Sequence, residues 1–370
     1  MTRATKSQDR LARFRREWPS VVTWADVRAE DPGVFRSARN GALLLIPAVA
    51  ATLLAGSLAM ETPWAIALPE WIDWSRGLVM VIVLFLAIVL WIWGLILLSL
   101  PGDVRRGLAI KGFAEQRDLF YSQYGRAPDR IGVLLAEGRG RTPSRPPRLV
   151  NADPVNPSLF RAKFALWQGG RTTIPSLQIA IAAYSGTDAD PKGPRNTFRY
   201  MELALPRRLP HIMIDARGNG SLRTMLPGTQ KLSLEGDFDR YFSVYVPAKY
   251  ERDALELLTP DVMVCLIDHG RQWDIEIVDD RLVVASRRWA RSSDRAEYTA
   301  MLYFSELIGA ELGYQAKTYT DPRAQKPRSQ VAEAGRRLRL RSAAWFTAAF
   351  FGIIALLLAY PHVLGWFLDR

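Results

Sequence analysis

The sequence predicts an integral membrane protein with three transmembrane α-helices and a soluble α+β domain, in which helices pack on a mixed or antiparallel sheet. Two observations carry this prediction. The chain has 370 residues, 49% of them hydrophobic, and much of this apolar content lies in three charge-free runs. A long middle segment alternates strand-like and helix-like patterns.

The three apolar runs are Ala42–Met60, Gly77–Leu100 and Ala343–Leu368. Crossing the hydrocarbon core takes roughly 20 apolar residues, so each run is long enough. A buried helix of a soluble protein normally has a polar face, and these runs have none. A signal peptide cleaved near residues 57–59 is disfavoured because about forty hydrophilic residues precede the first run.

Flanking cations predict the orientation, because cytoplasmic loops are rich in Lys and Arg. Nine cations precede the first run: Arg3, Lys6, Arg10, Arg13, Arg15, Arg16, Arg28, Arg36 and Arg39. The loop Glu61–Arg76 has a single cation and three tryptophans, as expected outside the membrane. Cations also follow the second run and precede the third. The amino terminus and the middle segment are therefore expected in the cytoplasm, with the carboxyl terminus outside the cell membrane.

Four parts of the chain follow from these patterns. They are a basic arm (1–39), a transmembrane hairpin (40–100), a cytoplasmic α+β domain (101–329) with a linker at 138–157, and a juxtamembrane helix that leads into the third span (330–370). Ser7–Trp18 in the arm is either an amphipathic helix on the inner leaflet or a disordered basic segment. The Gly, Pro and Arg of the linker are equally consistent with a basic patch against the membrane.

A formal net charge of +12 raises the question of a nucleic-acid partner, but much of this charge is explained by its position beside the predicted spans. Cations beside a bilayer interact with anionic lipid head groups by about 1 kcal/mol each, and no nucleic-acid reader motif is present. We therefore predict membrane lipids, rather than nucleic acid, as the partner of the basic residues, and leave a homo-oligomer open. The candidate membrane-surface residues are Arg13, Arg15, Arg16, Arg105, Arg106, Arg336, Arg337, Arg339 and Arg341.

Within the middle segment, a helix is predicted at Val104–Tyr124, followed by a strand-rich region. The predicted strands are Phe160–Trp167, Ser176–Tyr184, Thr197–Leu205 and Leu209–Asp215. The densest signals lie between Leu232 and Ser286. There, Trp273–Ala285 is predicted to be a hairpin that turns at Asp279-Asp280, with Asp274 and Glu276 on its solvent face.

Helix boundaries are also legible in this stretch. Thr259-Pro260-Asp261 predicts a helix start, with Thr as the N-cap, Pro at the first position and Asp at the positive helix end. Gly270 is predicted to end that helix as a C-cap. Ser293-Asp294 predicts the start of a last amphipathic helix, which Gly313 is expected to end.

The weak candidates for catalysis are Asp237, Asp239 and His211. Asp237-Phe-Asp239 imitates the Asp-x-Asp of metal-dependent glycosyl transferases. Turn residues that flank a strand are the simpler interpretation, because no Gly-rich phosphate loop accompanies the pair. The common nucleophile, zinc-protease, Walker and dinucleotide motifs are absent from the sequence, so no cofactor is predicted.

Cys265 and His269 are the weak candidates for a metal site, because a spacing of four on a helix can chelate a metal. Zinc needs three or four protein ligands, however, and the other histidines are His211 and His362. A small core thiol and a histidine at a helix end are therefore the preferred interpretation. A single cysteine also suits a reducing compartment.

Several short motifs in this stretch resemble a family of bacterial membrane proteins that share a cytoplasmic domain of unknown function. They are Gly236-Asp237-Phe238-Asp239, Phe242-Ser243-Val244-Tyr245 and Leu257-Leu258-Thr259-Pro260-Asp261-Val262-Met263. The resemblance covers about sixty residues well. It implies the same architecture, a membrane-anchored cytoplasmic domain, and no reaction.

The function expected from these features is a membrane-anchored scaffold or regulatory protein that presents the α+β domain to a protein partner at the inner leaflet. Whether the chain is an enzyme stays open. The alternative is an enzyme of lipid or cell-envelope metabolism with a site between the domain and the bilayer, which uses Asp237, Asp239 and His211. Convergence of these three side chains would favour the enzyme.

Overall fold

A computed structural model describes residues 18, 21–59, 75–125, 132–134, 149–150, 160–169, 176–184, 197–218, 226, 230–234, 236–286, 294–336 and 338–339. The third apolar run, the loop between the first two runs and most of the basic arm lie outside these residues. The chain divides into two compact units, Trp18–Phe113 and the described residues from Ala114 onward.

The first unit is a helical hairpin. A short helix, α1 (Trp24–Glu30), precedes α2 (Gly33–Ala59) and α3 (Arg76–Glu115). Both α2 and α3 are long and apolar enough to cross a membrane. Most of their apolar surface is exposed, whereas the core helix of a soluble protein is mostly buried. Two of the three predicted apolar runs are thus helices that indicate membrane association.

Small residues let α2 and α3 approach closely. Within the apolar part of the hairpin, the buried small residues of α2 are Gly41, Ala48 and Ala55, and those of α3 are Ala87, Gly94 and Pro101. Both sets repeat every seven residues, so each lines one side of its helix. A Cβ atom at Gly41 would lie 2.7 Å from the carbonyl oxygen of Gly94, which makes glycine necessary at this crossing. The two helices therefore pack against each other through these small residues.

One helix boundary was wrong. Instead of a separate helix at Val104–Tyr124, α3 continues through Pro101 to Glu115, and β1 (Phe120–Gly125) follows. Proline usually breaks a helix because it lacks an N–H group. Here Pro101 is buried in the line of small residues, and the helix continues through it to Glu115.

The second unit is built on one seven-stranded sheet in which every pair is antiparallel. Its strands are β1, β3 (Phe160–Gln168), β4 (Leu177–Tyr184), β5 (Thr197–Ala216), β6 (Lys231–Leu232), β7 (Phe242–Tyr245) and β8 (Asp274–Ser286), and a separate pair joins β2 (Leu149–Val150) to β9 (Leu338–Arg339). The predicted α+β fold is confirmed, and of the two predicted kinds of sheet, mixed or antiparallel, it is antiparallel.

The 20-residue strand β5 organises the sheet. Its first part pairs with β4 and its last part with β7, while β8 runs along its other edge. Register shifts between Ala204 and Ile212 bend the β5–β8 pair where Pro206 and Pro210 cannot donate ladder hydrogen bonds. The two predicted strands, Thr197–Leu205 and Leu209–Asp215, are therefore one strand.

The hairpin predicted at Asp279-Asp280 is also wrong, because β8 is a single 13-residue strand. Asp279 has a φ of 54° and pairs with Leu209 between the two register shifts. Aspartate tolerates this left-handed conformation better than most residues. A residue typical of turns therefore forms an irregularity inside the strand, because β5 is long enough to pair with both halves of β8.

Helices cover one face of the sheet. They are the short α4 (Phe238–Tyr241), α5 (Glu251–Leu257), α6 (Pro260–Cys265) and the long α7 (Asp294–Thr318). Phe304 of α7 packs edge-on against Trp273, with ring centroids 5.3 Å apart. The Tyr298 hydroxyl donates to the carbonyl of Phe164 at 2.8 Å. These contacts fix α7 on the sheet.

Several predicted helix ends differ in detail. Thr259 precedes Pro260 as predicted but makes no side-chain cap bond. A π-turn, Leu266–Gly270, extends α6, and Gly270 lies against Ile275 and Phe304 rather than capping the helix with a positive φ. The helix predicted to begin at Gln330 is, in its described part, a 3₁₀ turn (Glu333–Arg336) followed by β9.

Candidate functional site

The sheet face opposite α7 contains an unusual set of buried polar side chains. They are His211, Asp215, Ser243, Asp274 and Glu276, each at most 1% exposed. Asp215 lies opposite Ser243, and Met213 lies opposite Glu276, so strand alternation places all five on the same face. Burying charged groups is costly unless they are paired, so each needs an explanation.

Glu276 is paired with three donors. Its Oε1 atom is 2.5 Å from His211 Nε2 and also accepts the Val133 backbone N–H at 2.5 Å. Its Oε2 atom accepts the N–H of Leu134 at 2.9 Å. These bonds satisfy both carboxylate oxygens and offset the loss of water.

The same bonds define the state of His211. When Glu276 is ionised, its carboxylate only accepts, so His211 Nε2 is then the donor of this bond. The other ring nitrogen, Nδ1, is buried without a hydrogen-bond partner among the described residues. Because His211 is 1% exposed, it cannot meet a dissolved substrate in this structure. In this conformation the pair stabilises packing rather than transferring a proton to a substrate.

Residues 132–134 cover the Glu276 carboxylate. A Cβ atom at Gly132 would collide with that carboxylate, so only glycine lets the backbone approach. The side chains of Val133 and Leu134 join Leu226 and Leu338 in an apolar cluster over the sheet. Glu276 and His211 thus attach a piece of backbone distant in sequence to the sheet.

The neighbouring acids form a second group on this face. Asp274 Oδ1 accepts the N–H of Ala216 at 2.9 Å, beside Asp215 and Ser243. The described residues contain no group of three or more His, Cys, Asp or Glu side chains that could hold a metal ion. On this face, Glu276 and Asp274 accept hydrogen bonds, whereas the buried Ser243 hydroxyl has no hydrogen-bond partner among the described residues.

His211 was predicted as a candidate residue, but its partner in the structure, Glu276, was not. Asp274 and Glu276 were expected on the solvent face of a hairpin, and both are 0% exposed. Their alternation with Ile275 and Ile277 was interpreted as one buried and one exposed face, but both faces of β8 are covered. A usable signal was His211 itself, since a histidine in the apolar stretch Leu209–Ile214 predicts a buried acidic partner.

Asp237 and Asp239 lie elsewhere, in a surface turn. The Asp237 side chain is 68% exposed and 3.3 Å from Arg240. Asp239 accepts hydrogen bonds from the Ser233 hydroxyl and from the Leu234 N–H. No hydrogen bond or ion pair among the described residues joins Asp237, Asp239 and His211. The convergence that would favour an enzyme is therefore not observed in this part of the chain.

Cys265 and His269 occupy the end of α6 and the π-turn. Cys265 is a buried free thiol. The His269 ring packs edge-on against Tyr303, with centroids 5.6 Å apart, and burial lowers its pKa below the ordinary value of 6.5. No third candidate ligand lies beside this pair among the described residues.

Arg336 differs from its predicted role at the membrane surface. Its guanidinium binds the buried Asp279 carboxylate through two bonds, Nε to Oδ1 at 3.1 Å and an NH group to Oδ2 at 3.0 Å. Such paired bonds are stronger than single ones. Arg105 and Arg106 lie in the helical unit, whereas Arg13, Arg15, Arg16, Arg337 and Arg341 are outside the described residues, as is the side chain of Arg339.

A second polar cluster was not predicted from the sequence. Arg323 binds Asp253 and Asp321 and stacks on the Tyr250 ring at 4.3 Å. The Tyr250 hydroxyl donates to Asp321 at 2.8 Å, and that of Tyr319 donates to Asp253 at 2.9 Å. The cluster fastens the segment after α7 to α5.

These contacts shift the ionisation of the cluster. Burial first, and then the hydrogen bonds to Asp321 and Asp253, raise the pKa values of Tyr250 and Tyr319. Burial alone would raise the pKa of Asp321, but bonds from Ala332, Tyr250 and Arg323 lower it overall. The cluster is thus stable with both tyrosines protonated and both aspartates available as acceptors.

Comparison with protein-family models and with curated proteins finds no match. A solved structure that aligns with the chain is the crystal structure of the mycobacterial trehalose monomycolate transport factor A, TtfA. The alignment covers 56% of this chain and 93% of that one, at 10% sequence identity and a TM-score of 0.34. A TM-score this low assigns neither a shared fold nor a shared function.

Proposed function

We propose that the protein is a membrane-anchored scaffold or regulatory protein that presents its α+β domain to a protein partner at the inner leaflet. The observation that carries this proposal is the exposed apolar surface of α2 and α3. Ile46, Leu53, Leu78 and Phe85 are each at least 60% exposed, and contact with lipid tails would bury them.

The orientation in this proposal follows the cations. The amino terminus and the sheet domain lie in the cytoplasm, because cations cluster before α2 and after the apolar part of α3. A third span at 343–368 places the carboxyl terminus outside. The domain is then tethered to the membrane at both ends, an arrangement that suits a domain held near the inner leaflet.

Support for a scaffold also comes from the way in which the polar residues are used. The candidate base His211 is buried against Glu276, and the exposed acids Asp237 and Asp239 belong to a local turn. Arg323 and Arg336 hold chain segments together through Asp253 and Asp279. These residues stabilise a fixed surface, as a docking domain requires.

Thiol labelling in intact cells tests the arrangement. Cys265 is replaced by serine, and one cysteine is introduced at Glu70, in the loop, or at Thr318, at the end of α7. A membrane-impermeant maleimide should label Glu70→Cys before lysis and Thr318→Cys only after it. Labelling of Thr318→Cys in intact cells, or solubility of the protein in carbonate, would contradict the proposal.

Affinity capture of the full chain from membranes tests the scaffold part. The Asp237→Ala, Asp239→Ala variant should retain the same reproducible protein partner as the wild type, because both side chains serve a local turn. Loss of that partner together with an accumulated lipid or envelope precursor would instead favour the enzyme alternative.

A further inference from the structure

Exposed arginines and an exposed tryptophan lie together at the end of the helical unit that contains α1. Arg36 and Arg39 lie near the start of α2 and are exposed. Neither forms a hydrogen bond or ion pair with another described residue. Trp24 is 51% exposed, and the guanidinium of Arg105 lies 4.8 Å from its ring centroid. Four side chains that suit a membrane interface therefore occur at one end of the hairpin.

The depth of these residues follows from the apolar surface. Leu43 is the first large apolar residue exposed on α2, and Leu98 is the last on α3, so they mark the edge of the hydrocarbon. At 1.5 Å per residue, Arg39 lies about 6 Å beyond this edge, and Arg36 and Arg105 about 10 Å. The head-group layer extends roughly 5–8 Å from the hydrocarbon, and arginine side chains can reach toward it.

Packing within the unit fixes Trp24 at this depth. Arg105 Nε donates to the carbonyl of Val22 at 2.9 Å, beside its contact with the Trp24 ring. The Thr23 and Asp26 side chains bond each other's backbone N–H groups, so α1 has a defined start. Further from the edge, Trp18 stacks on Phe113 with centroids 4.4 Å apart. The segment before α2 is thus attached to α3 and cannot move freely away from the head groups.

We propose that Arg36, Arg39, Arg105 and Trp24 form a binding site for the phosphate groups of anionic lipids in the leaflet at this end of the hairpin. The inference rests on the proposed membrane anchoring and adds a lipid preference to it. Arg36 and Arg39 attract the lipid phosphate, Arg105 adds charge while it positions Trp24, and the indole lies among the head groups. Zwitterionic lipids such as phosphatidylcholine cover the apolar helices equally well and also have a phosphate, but their choline cation cancels its charge, so they attract the arginines less strongly.

Lipid retention by the full chain tests the site. The protein is placed in nanodiscs of equal parts phosphatidylglycerol and phosphatidylcholine, released, and analysed for retained lipid by native mass spectrometry. The wild type should retain phosphatidylglycerol preferentially. Arg36→Gln, Arg39→Gln should lower this preference by about five-fold per arginine, the factor that corresponds to roughly 1 kcal/mol per cation near the surface.

The matched control removes two cations from the other unit, Arg252→Gln and Lys317→Gln, which are both exposed. It should keep the wild-type lipid preference. Equal retention by all three proteins would overturn the site, as would binding of duplex DNA that depends on Arg36 and Arg39. Carbonate extraction separates the two proposals. Wild-type protein that stays in the membrane without a lipid preference contradicts the site alone, and wild-type protein in the soluble fraction contradicts the anchoring.

Discussion

At the scale of single residues, burial decides the roles of the polar groups in the sheet domain. Glu276 and His211 are each at most 1% exposed, and every Glu276 oxygen has a donor. Removing one partner from such a pair leaves an uncompensated buried group, which costs far more than losing an exposed ion pair. Substitutions at these two positions should therefore act on stability.

Glu276→Gln tests this role of the carboxylate. The amide has the same shape, but its NH₂ group cannot accept a hydrogen bond and would face one of the groups that donate to the Glu276 carboxylate. We expect the free energy of unfolding to fall by about 3 kcal/mol, measured by denaturant titration of the full chain in detergent. Glu256→Gln, whose parent side chain is 60% exposed beside Arg252, should change it by less than about 0.5 kcal/mol. Equal effects would contradict the role of burial.

Tyr319 should make stability sensitive to alkaline pH. Burial and the bond to Asp253 raise its pKa in the folded state above about 10, its ordinary value. A raised pKa contributes stability that is complete below pH 10 and is lost as the pH rises above it. Tyr319→Phe should flatten the loss of stability between pH 10 and 12. Thermal unfolding across this range measures the slope, and Tyr314→Phe, at a ring that is 68% exposed, should keep it.

At the scale of elements, close contact in the helical unit depends on residues without side chains. A Cβ atom at Gly41 would meet the Gly94 carbonyl, which is backbone and cannot rotate away. In the sheet, β5 and β8 are held together along their length despite two register shifts. The α2–α3 contact thus depends on one glycine, and the β5–β8 pair tolerates two irregular positions.

Gly41→Ala should loosen the pairing of α2 with α3. The added methyl group requires the helices to separate, which we expect to cost about 1–3 kcal/mol. Gly56→Ala is the matched control, because a Cβ atom there meets nothing within 4 Å. Thermal unfolding in detergent should show a lower midpoint for Gly41→Ala only. A lower midpoint for Gly56→Ala instead would contradict the crossing at Gly41.

At the scale of the whole molecule, ion pairs join segments that are far apart in the sequence. Arg323 connects the segment after α7 to α5, and Arg336 connects the stretch before β9 to the irregularity in β8. These two contacts determine the path of the chain toward its carboxyl-terminal apolar run. Arg323 and Arg336, two cations that precede that run in the sequence, thus stabilise the fold.

Asp279→Asn separates the ion pair from the backbone requirement. Asparagine tolerates the positive φ of this position, so the substitution removes mainly the charge. We expect a loss of about 2 kcal/mol and faster hydrogen exchange at residues 331–339. Asp237→Asn, at a side chain that is 68% exposed, should change neither quantity. Unchanged exchange in Asp279→Asn would show that Arg336 does not hold this segment.

The sequence by itself determined that two of the apolar runs become helices and that the middle segment combines a sheet with packed helices, because hydrophobic periodicity is local. It also identified His211 as a residue to explain. Only the tertiary structure decided that Asp279 lies inside a strand, that Glu276 is buried, and that Arg336 binds an aspartate. Each of these depends on β5, whose length and bend pair residues distant in sequence, and no local pattern encodes that pairing.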